Sequence, residues 1–125
     1  MIAGVGVDMV RIERIQKSLG SEAFWRRAFG EQERAFLQSL APARQAASAA
    51  ANFAAKEAFL KACGRGLGGF ALAEIQALRG EGGAPFYRLG GAAGEFVRQN
   101  GLAASLSLSH EGGLAVAFAV LEKQG

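Results

Sequence analysis

The stretch from Ala43 to Cys63 constrains this chain more than any other. It is rich in alanine and holds neither proline nor glycine, so it is strongly helix-forming. Gly64 is its natural terminator, and Gly66, Gly68 and Gly69 follow. The helix is therefore expected to empty into a glycine-rich loop. The chain has 125 residues, half of them hydrophobic and a fifth charged, which is ordinary for one folded domain spanning 1–125.

On the N-terminal side, Met1 to Asp8 reads as a buried strand, with Ile2, Val5 and Val7 apolar and Gly4 and Gly6 small between them. Val10 to Leu19 reads as a helix with Ile12, Ile15 and Leu19 on one side, ended by Gly20 in a left-handed conformation. Ser21 is placed to cap a second helix anchored by Phe24 and Trp25. A third is expected from Glu31 to Leu40, stopping before Pro42. On the C-terminal side, Ala71 to Arg79 and Pro85 to Leu89 read as strands joined by the turn Glu81-Gly82-Gly83. Gly90 to Asn100 reads as a helix with Phe96 and Val97 inward. Ala103 to His110 alternates, with Leu106 and Leu108 opposite Ser105, Ser107 and Ser109. After Glu111-Gly112-Gly113, Leu114 to Glu122 returns as an apolar strand. The expected class is α+β, helices early and antiparallel strands late.

Composition excludes several chemistries. One cysteine permits neither an internal disulfide nor a cysteine cage for zinc, and one histidine permits no two-histidine metal site within a chain. Any metal should be hard and held by carboxylate oxygen. No apolar run approaches the ~20 residues of a membrane span. The start carries no signal-peptide pattern, so a cytoplasmic location is expected. The net charge of +3 permits an acidic partner or a phosphate-bearing ligand. Nucleic acid is a weaker option, because no binding motif appears and the lone Trp and lone Tyr lie far apart.

Five features carry possible chemistry. Asp8 ends a strand, where it either caps a helix starting near Val10 or must be solvated, paired or metal-bound. Glu57 has Lys56 beside it and Lys61 four residues on, a pattern that fits an ion pair on a solvated face. Its neighbours Phe53, Ala54, Ala58, Phe59 and Leu60 argue for partial burial instead. The loop Gly64-Arg65-Gly66 fits a helix cap and turn, or a close approach to a ligand. For a phosphate there, Lys56, Lys61, Arg65 or a metal would have to offset the helix C-terminal dipole. His110 is either structural or simply exposed, or it is a general base, since its ordinary pKa lies near neutrality. Cys63 is most simply a small core residue. Arg11, Arg14 and Lys17, with Arg26 and Arg27 nearby, are either solvated charge or a docking patch for an acidic partner.

Three segments taken together resemble a known family. IAGVGVDMV, residues 2–10, resembles the opening G-[IV]-G-x-D-[IV] signature of the holo-(acyl-carrier-protein) synthases. FAAKEAFLKACGRG, residues 53–66, resembles their second signature, F-[AS]-x-K-E-A-x-x-K-A-x-G-x-G, and SLSH, residues 107–110, resembles their C-terminal strand motif. Order, spacing and length fit across essentially the whole chain.

The resemblance implies a 4′-phosphopantetheinyl transferase-like fold, with an antiparallel sheet packed against a long central helix and shorter helices. It implies magnesium-dependent transfer of 4′-phosphopantetheine from coenzyme A to a serine of an apo acyl carrier protein, a step in fatty acid biosynthesis. By motif, Asp8 and Glu57 would be the magnesium ligands. Lys61 and Lys56 would assist electrostatically on coenzyme A, with Gly64, Arg65, Gly66 and His110 contributing to its binding. The base that deprotonates the carrier serine stays open among His110, a metal-bound water and Glu57. Arg11, Arg14, Lys17 and Arg26 would meet the acidic carrier. Short members resemble trimers with active sites at subunit boundaries, so a homotrimer is expected. Asn52 stands where many members have arginine, so Arg65 or another residue would have to supply that phosphate contact. The competing reading is a non-catalytic module that binds an acidic protein.

Overall fold

The computed structural model describes residues 1–64 and 69–125, so the expectations for Arg65, Gly66 and Gly68 lie outside the described residues. Its elements are β1 (Ile2–Arg11), α1 (Ile12–Ser18), α2 (Glu22–Ala28), α3 (Glu31–Gln38), α4 (Pro42–Ala62), β2 (Ile75–Arg79), β3 (Pro85–Leu89), α5 (Gly91–Gln99), β4 (Leu102–Glu111) and β5 (Leu114–Lys123). A three-stranded antiparallel sheet has the order β1-β5-β4, and β2 and β3 pair as a separate hairpin. Helix α4 has 21 residues and is about 31 Å long.

Small residues let α4 lie against the sheet. Ala49, Ala50, Ala54, Ala55 and Ala58 of α4 are fully buried, as are Ala115, Ala117 and Ala119 on the facing side of β5. Phe29, Leu37, Phe59, Leu60 and Ile75 fill the remaining core. Pro42 lies in the first turn of α4, where its fixed φ suits a helix start. Gly64, with φ of +75°, follows the helix in the left-handed region.

Strand β1 is a correction to the sequence reading. Its apolar residues are not buried: Val5 is 52 %, Val7 53 % and Met9 59 % exposed. Its opposite face, carrying Gly4, Gly6, Asp8 and Val10, turns toward α4. A Cβ at residue 6 would overlap the Ala58 carbonyl oxygen, and one at residue 4 that of Ala62. The glycines are therefore the buried face, because only a residue without Cβ allows this approach.

Four smaller readings also change. Strand β1 continues through Arg11, so Asp8 caps no helix; Arg11 is the N-cap of α1 and makes no side-chain cap bond. Gly20 is not among the left-handed glycines. The segment before β2 is a 3-10 turn, Leu72–Glu74, rather than strand. Cys63 lies just past α4 and is only partly buried. Ser21 does cap α2, its Oγ accepting from the Phe24 amide at 3.2 Å.

Candidate active site

Period-2 alternation aims the Asp8 side chain to the same side of β1 as Gly4 and Gly6, toward α4. Glu57 and Lys61 lie one turn apart on α4, so they share a face. The Lys61 ammonium donates to Asp8 Oδ1 at 3.1 Å and to the Val7 carbonyl at 3.0 Å. Asp8 and Glu57 are half-buried and Lys61 is exposed. Partial burial pushes the Glu57 carboxyl above its ordinary value of 4.5, and the negative charge of Asp8 pushes it the same way. Lys61 and Arg14 oppose that shift. The Asp8 and Glu57 carboxyls, the Lys61 ammonium and the Arg14 guanidinium thus act on one small volume at the sheet–helix boundary. Arg14 also lies over the Phe53 ring, 5.9 Å from its centroid.

Two carboxylates that repel one another fit a hard divalent cation. Among the described residues no group of three His, Cys, Asp or Glu forms around a common point. The protein would supply Asp8 and Glu57, leaving the rest of a coordination shell to substrate oxygen and water.

The expectation for Lys56 is corrected. Its side chain is wholly buried on the other side of α4. All three ammonium donors are used: to Glu33 Oε1 at 2.5 Å, the Ile75 carbonyl at 2.6 Å and the Leu72 carbonyl at 3.1 Å. Burial pushes this ammonium from 10.5 down to about 8, against the pull of Glu33. Lys56 is therefore a core residue with no donor to spare for a phosphate at Asp8.

Glu33 is the hub of that buried network. Besides Lys56 it accepts from the Gly30 amide, the Ala77 amide and Asn52 Nδ2, each at 3.0 Å. Asn52, also fully buried, donates to the Ala77 carbonyl at 2.9 Å and accepts from Arg79 Nη2 at 2.8 Å. Sequence pattern does not reveal Glu33 or Arg79; the departure at Asn52 is the one signal that points toward them.

His110 lies elsewhere from Asp8. It is the penultimate residue of β4, on the opposite edge of the sheet from β1. There it lines a pocket of about 200 Å³ with Ser48, Arg79, Gly83, Pro85 and Ser109. Arg44 lies in an adjoining hollow that shares Ser48 and His110. Ser48 and Glu57 are separated by roughly 13 Å along α4, so within one chain the His110 pocket stands apart from Asp8 and Glu57. Arg11, Arg14 and Lys17 line one groove with Glu13. Arg26 lies on α2 and is not part of that groove.

The 4′-phosphopantetheinyl transferase superfamily model matches residues 4–119. The holo-[acyl-carrier-protein] synthase of Trichlorobacter lovleyi is 45 % identical over 127 residues, covering 98 % of both chains. Two solved structures superpose closely. The Bacillus anthracis holo-(acyl-carrier-protein) synthase in complex with CoA (3′,5′-ADP) has a TM-score of 0.85 at 33 % identity and 99 % coverage of both chains. The Neisseria meningitidis synthase has a TM-score of 0.84 at 33 % identity, covering 98 % of this chain and all of that one. The matched span runs from Gly4 into β5 and so includes Asp8, Glu57 and Lys61; the chain belongs to the 4′-phosphopantetheinyl transferase superfamily.

Proposed function

We propose that this protein is a holo-(acyl-carrier-protein) synthase, transferring 4′-phosphopantetheine from coenzyme A to a serine of apo acyl carrier protein and releasing adenosine 3′,5′-bisphosphate. The observation that carries it is the convergence of Asp8 with Glu57 and Lys61, inside a chain that matches such synthases over nearly its full length.

The carrier serine hydroxyl gives up its proton to a base and its oxygen forms a bond to the β-phosphorus of the coenzyme A diphosphate, while the bond from that phosphorus to the leaving phosphate oxygen breaks. Negative charge accumulates on the leaving phosphate, so preorganised positive charge is the main catalytic need. Asp8 and Glu57 would hold magnesium, which when bound supplies positive charge to the diphosphate. Lys61, fixed by Asp8 Oδ1 and the Val7 carbonyl, is placed to offset charge beside it. Arg14, resting on Phe53, is the docking cation nearest the site, and with Arg11 and Lys17 it offers an acidic carrier a basic groove. Such exposed charges chiefly raise the association rate, and salt weakens them.

A homotrimer fits the outer face of the sheet. Val5, Val7 and Met9, each more than half exposed, pair across to Val120, Phe118 and Val116, so this outer face is apolar. Burying it against identical copies removes the liability of an exposed apolar sheet face. It would also bring the His110 edge of one protomer toward the Asp8–Glu57 site of its neighbour, so that coenzyme A touches both. A cytoplasmic setting and a role in fatty acid biosynthesis accord with this reading. No helix among the described residues is long and apolar enough to cross a membrane.

The test is intact mass. Incubation with coenzyme A, magnesium and apo carrier adds one phosphopantetheine to the carrier. Carrier binding without mass gain, and with no need of magnesium, would instead mark a non-catalytic module.

A further inference from the structure

Resting on that proposed activity, we propose that Asn52 is a positioning residue, which holds the Arg79 guanidinium where it serves an anionic group of coenzyme A.

Arg79 ends β2 just before the Gly80–Gly83 turn and is half-buried. Three contacts hold its guanidinium. Nη2 donates to Asn52 Oδ1 at 2.8 Å, the plane lies 5.3 Å from the Phe36 ring centroid, and the buried Glu33 carboxylate attracts it. Burial pulls its pKa below the usual arginine value, so burying this cation costs free energy. Despite that cost its hydrogen bonding is incomplete. Arg79 Nη1 is the single buried side-chain polar atom without a partner among the described residues. Buried donors are rarely left so, and an unmet guanidinium N–H beside a pocket is the signature of an absent acceptor.

Arg79 lines the pocket that also holds Ser48, Ser109 and His110, and among the described residues no carboxylate lines it. The lining is thus neutral or basic, which suits an anion. Of the proposed substrates, coenzyme A carries phosphate oxygen able to accept from a guanidinium fork.

Asn52 decides where the fork points. Its amide is itself locked by Glu33 and the Ala77 carbonyl, so its Oδ1 is a fixed acceptor. Asn52 holds no phosphate itself, because it is fully buried and all three of its bonds are internal. The charge that an arginine at position 52 would bring is supplied here by Arg79, borne on β2 and aimed by Asn52.

The experiment measures KM for coenzyme A and kcat by carrier modification, coenzyme A affinity by calorimetry, and melting temperature, in Arg79→Gln, Arg79→Lys, Asn52→Ala and the Asn52→Ala/Arg79→Gln double variant. Loss of one charge-assisted contact should raise KM about tenfold in Arg79→Gln, with kcat within about threefold. Arg79→Lys should be nearly as impaired, because one ammonium cannot both sit on Asn52 Oδ1 and present a fork. Asn52→Ala should raise KM in the wild-type background and add nothing in the Arg79→Gln background. Equal effects of Asn52→Ala in both backgrounds would overturn the inference. So would a wild-type KM in Arg79→Lys, a result that counts even if Asn52→Ala fails to fold. A wild-type protein that neither binds coenzyme A nor modifies the carrier would overturn the proposed activity itself, and this inference with it.

Discussion

Gly6 faces Ala58 so closely that a side chain at residue 6 would strike the Ala58 carbonyl and stand 2.7 Å from the Ala62 amide nitrogen. The two residues set the separation of β1 from α4, and through it the meeting of Asp8 with Lys61. Gly6→Ala is expected to push β1 away and cost about 1–3 kcal/mol by overpacking. Gly20→Ala, where the added methyl meets only ordinary contact at 3.4 Å, is the control. Thermal melting and carrier modification on both variants check this, with transfer lost in Gly6→Ala alone.

Glu57→Gln and Asp8→Asn should each abolish transfer and leave the fold intact, as judged by melting and circular dichroism. Near-normal turnover in both would refute the metal assignment. Burial and Asp8 hold the Glu57 pKa above 4.5, so the proton competes with a cation at higher pH than at an ordinary glutamate. Magnesium affinity, measured calorimetrically on the wild-type protein, should therefore already fall as pH drops toward the ordinary glutamate value from above.

Lys56→Met leaves the Glu33 carboxylate buried without its ammonium. Breaking such a pair from one side costs about 3–5 kcal/mol. Urea denaturation should show that loss, and Lys56→Met/Glu33→Gln should recover part of it by removing the stranded charge. A Lys56→Met protein as stable as wild type would show that the buried pair contributes nothing.

Val7 and Phe118 are cross-strand partners on the outer sheet face. Val7→Lys should convert a trimer to monomers in sedimentation velocity and remove activity, because a charge there cannot be buried unpaired. A wild-type protein that sediments as a monomer would refute the trimer.

Tyr87 is the only tyrosine in the chain, so its ionisation can be followed by absorbance alone. Its hydroxyl donates to the Ala55 carbonyl at 2.6 Å, and burial raises its pKa far above the ordinary 10.0. A native pKa above the unfolded one means that its contribution to stability is complete below pH 10 and is lost as pH rises beyond it. The tyrosinate signal should stay flat through pH 10 and rise only with unfolding. Tyr87→Phe should lack this alkaline component; a tyrosine titrating at pH 10 in the folded protein would contradict the burial.

Much of this molecule was legible in its residue order. The alanine-rich run with its terminal glycine foretold α4, and serine–leucine alternation foretold β4, because local propensity and period act through neighbours alone. The paired signatures named Asp8, Glu57 and Lys61. Which side of β1 is buried was decided by tertiary structure: the period is the same either way, and only the approach of α4 makes the glycines the inner face. Lys56 and Glu57 are adjacent in sequence, yet α4 turns one toward Glu33 in the core and the other toward Asp8, through the roughly 100° between successive helical residues. The link from Glu33 through Asn52 to Arg79 likewise exists only in three dimensions. Its members lie 19 and 27 residues apart, and no local pattern encodes a contact that three separate elements must fold together to make.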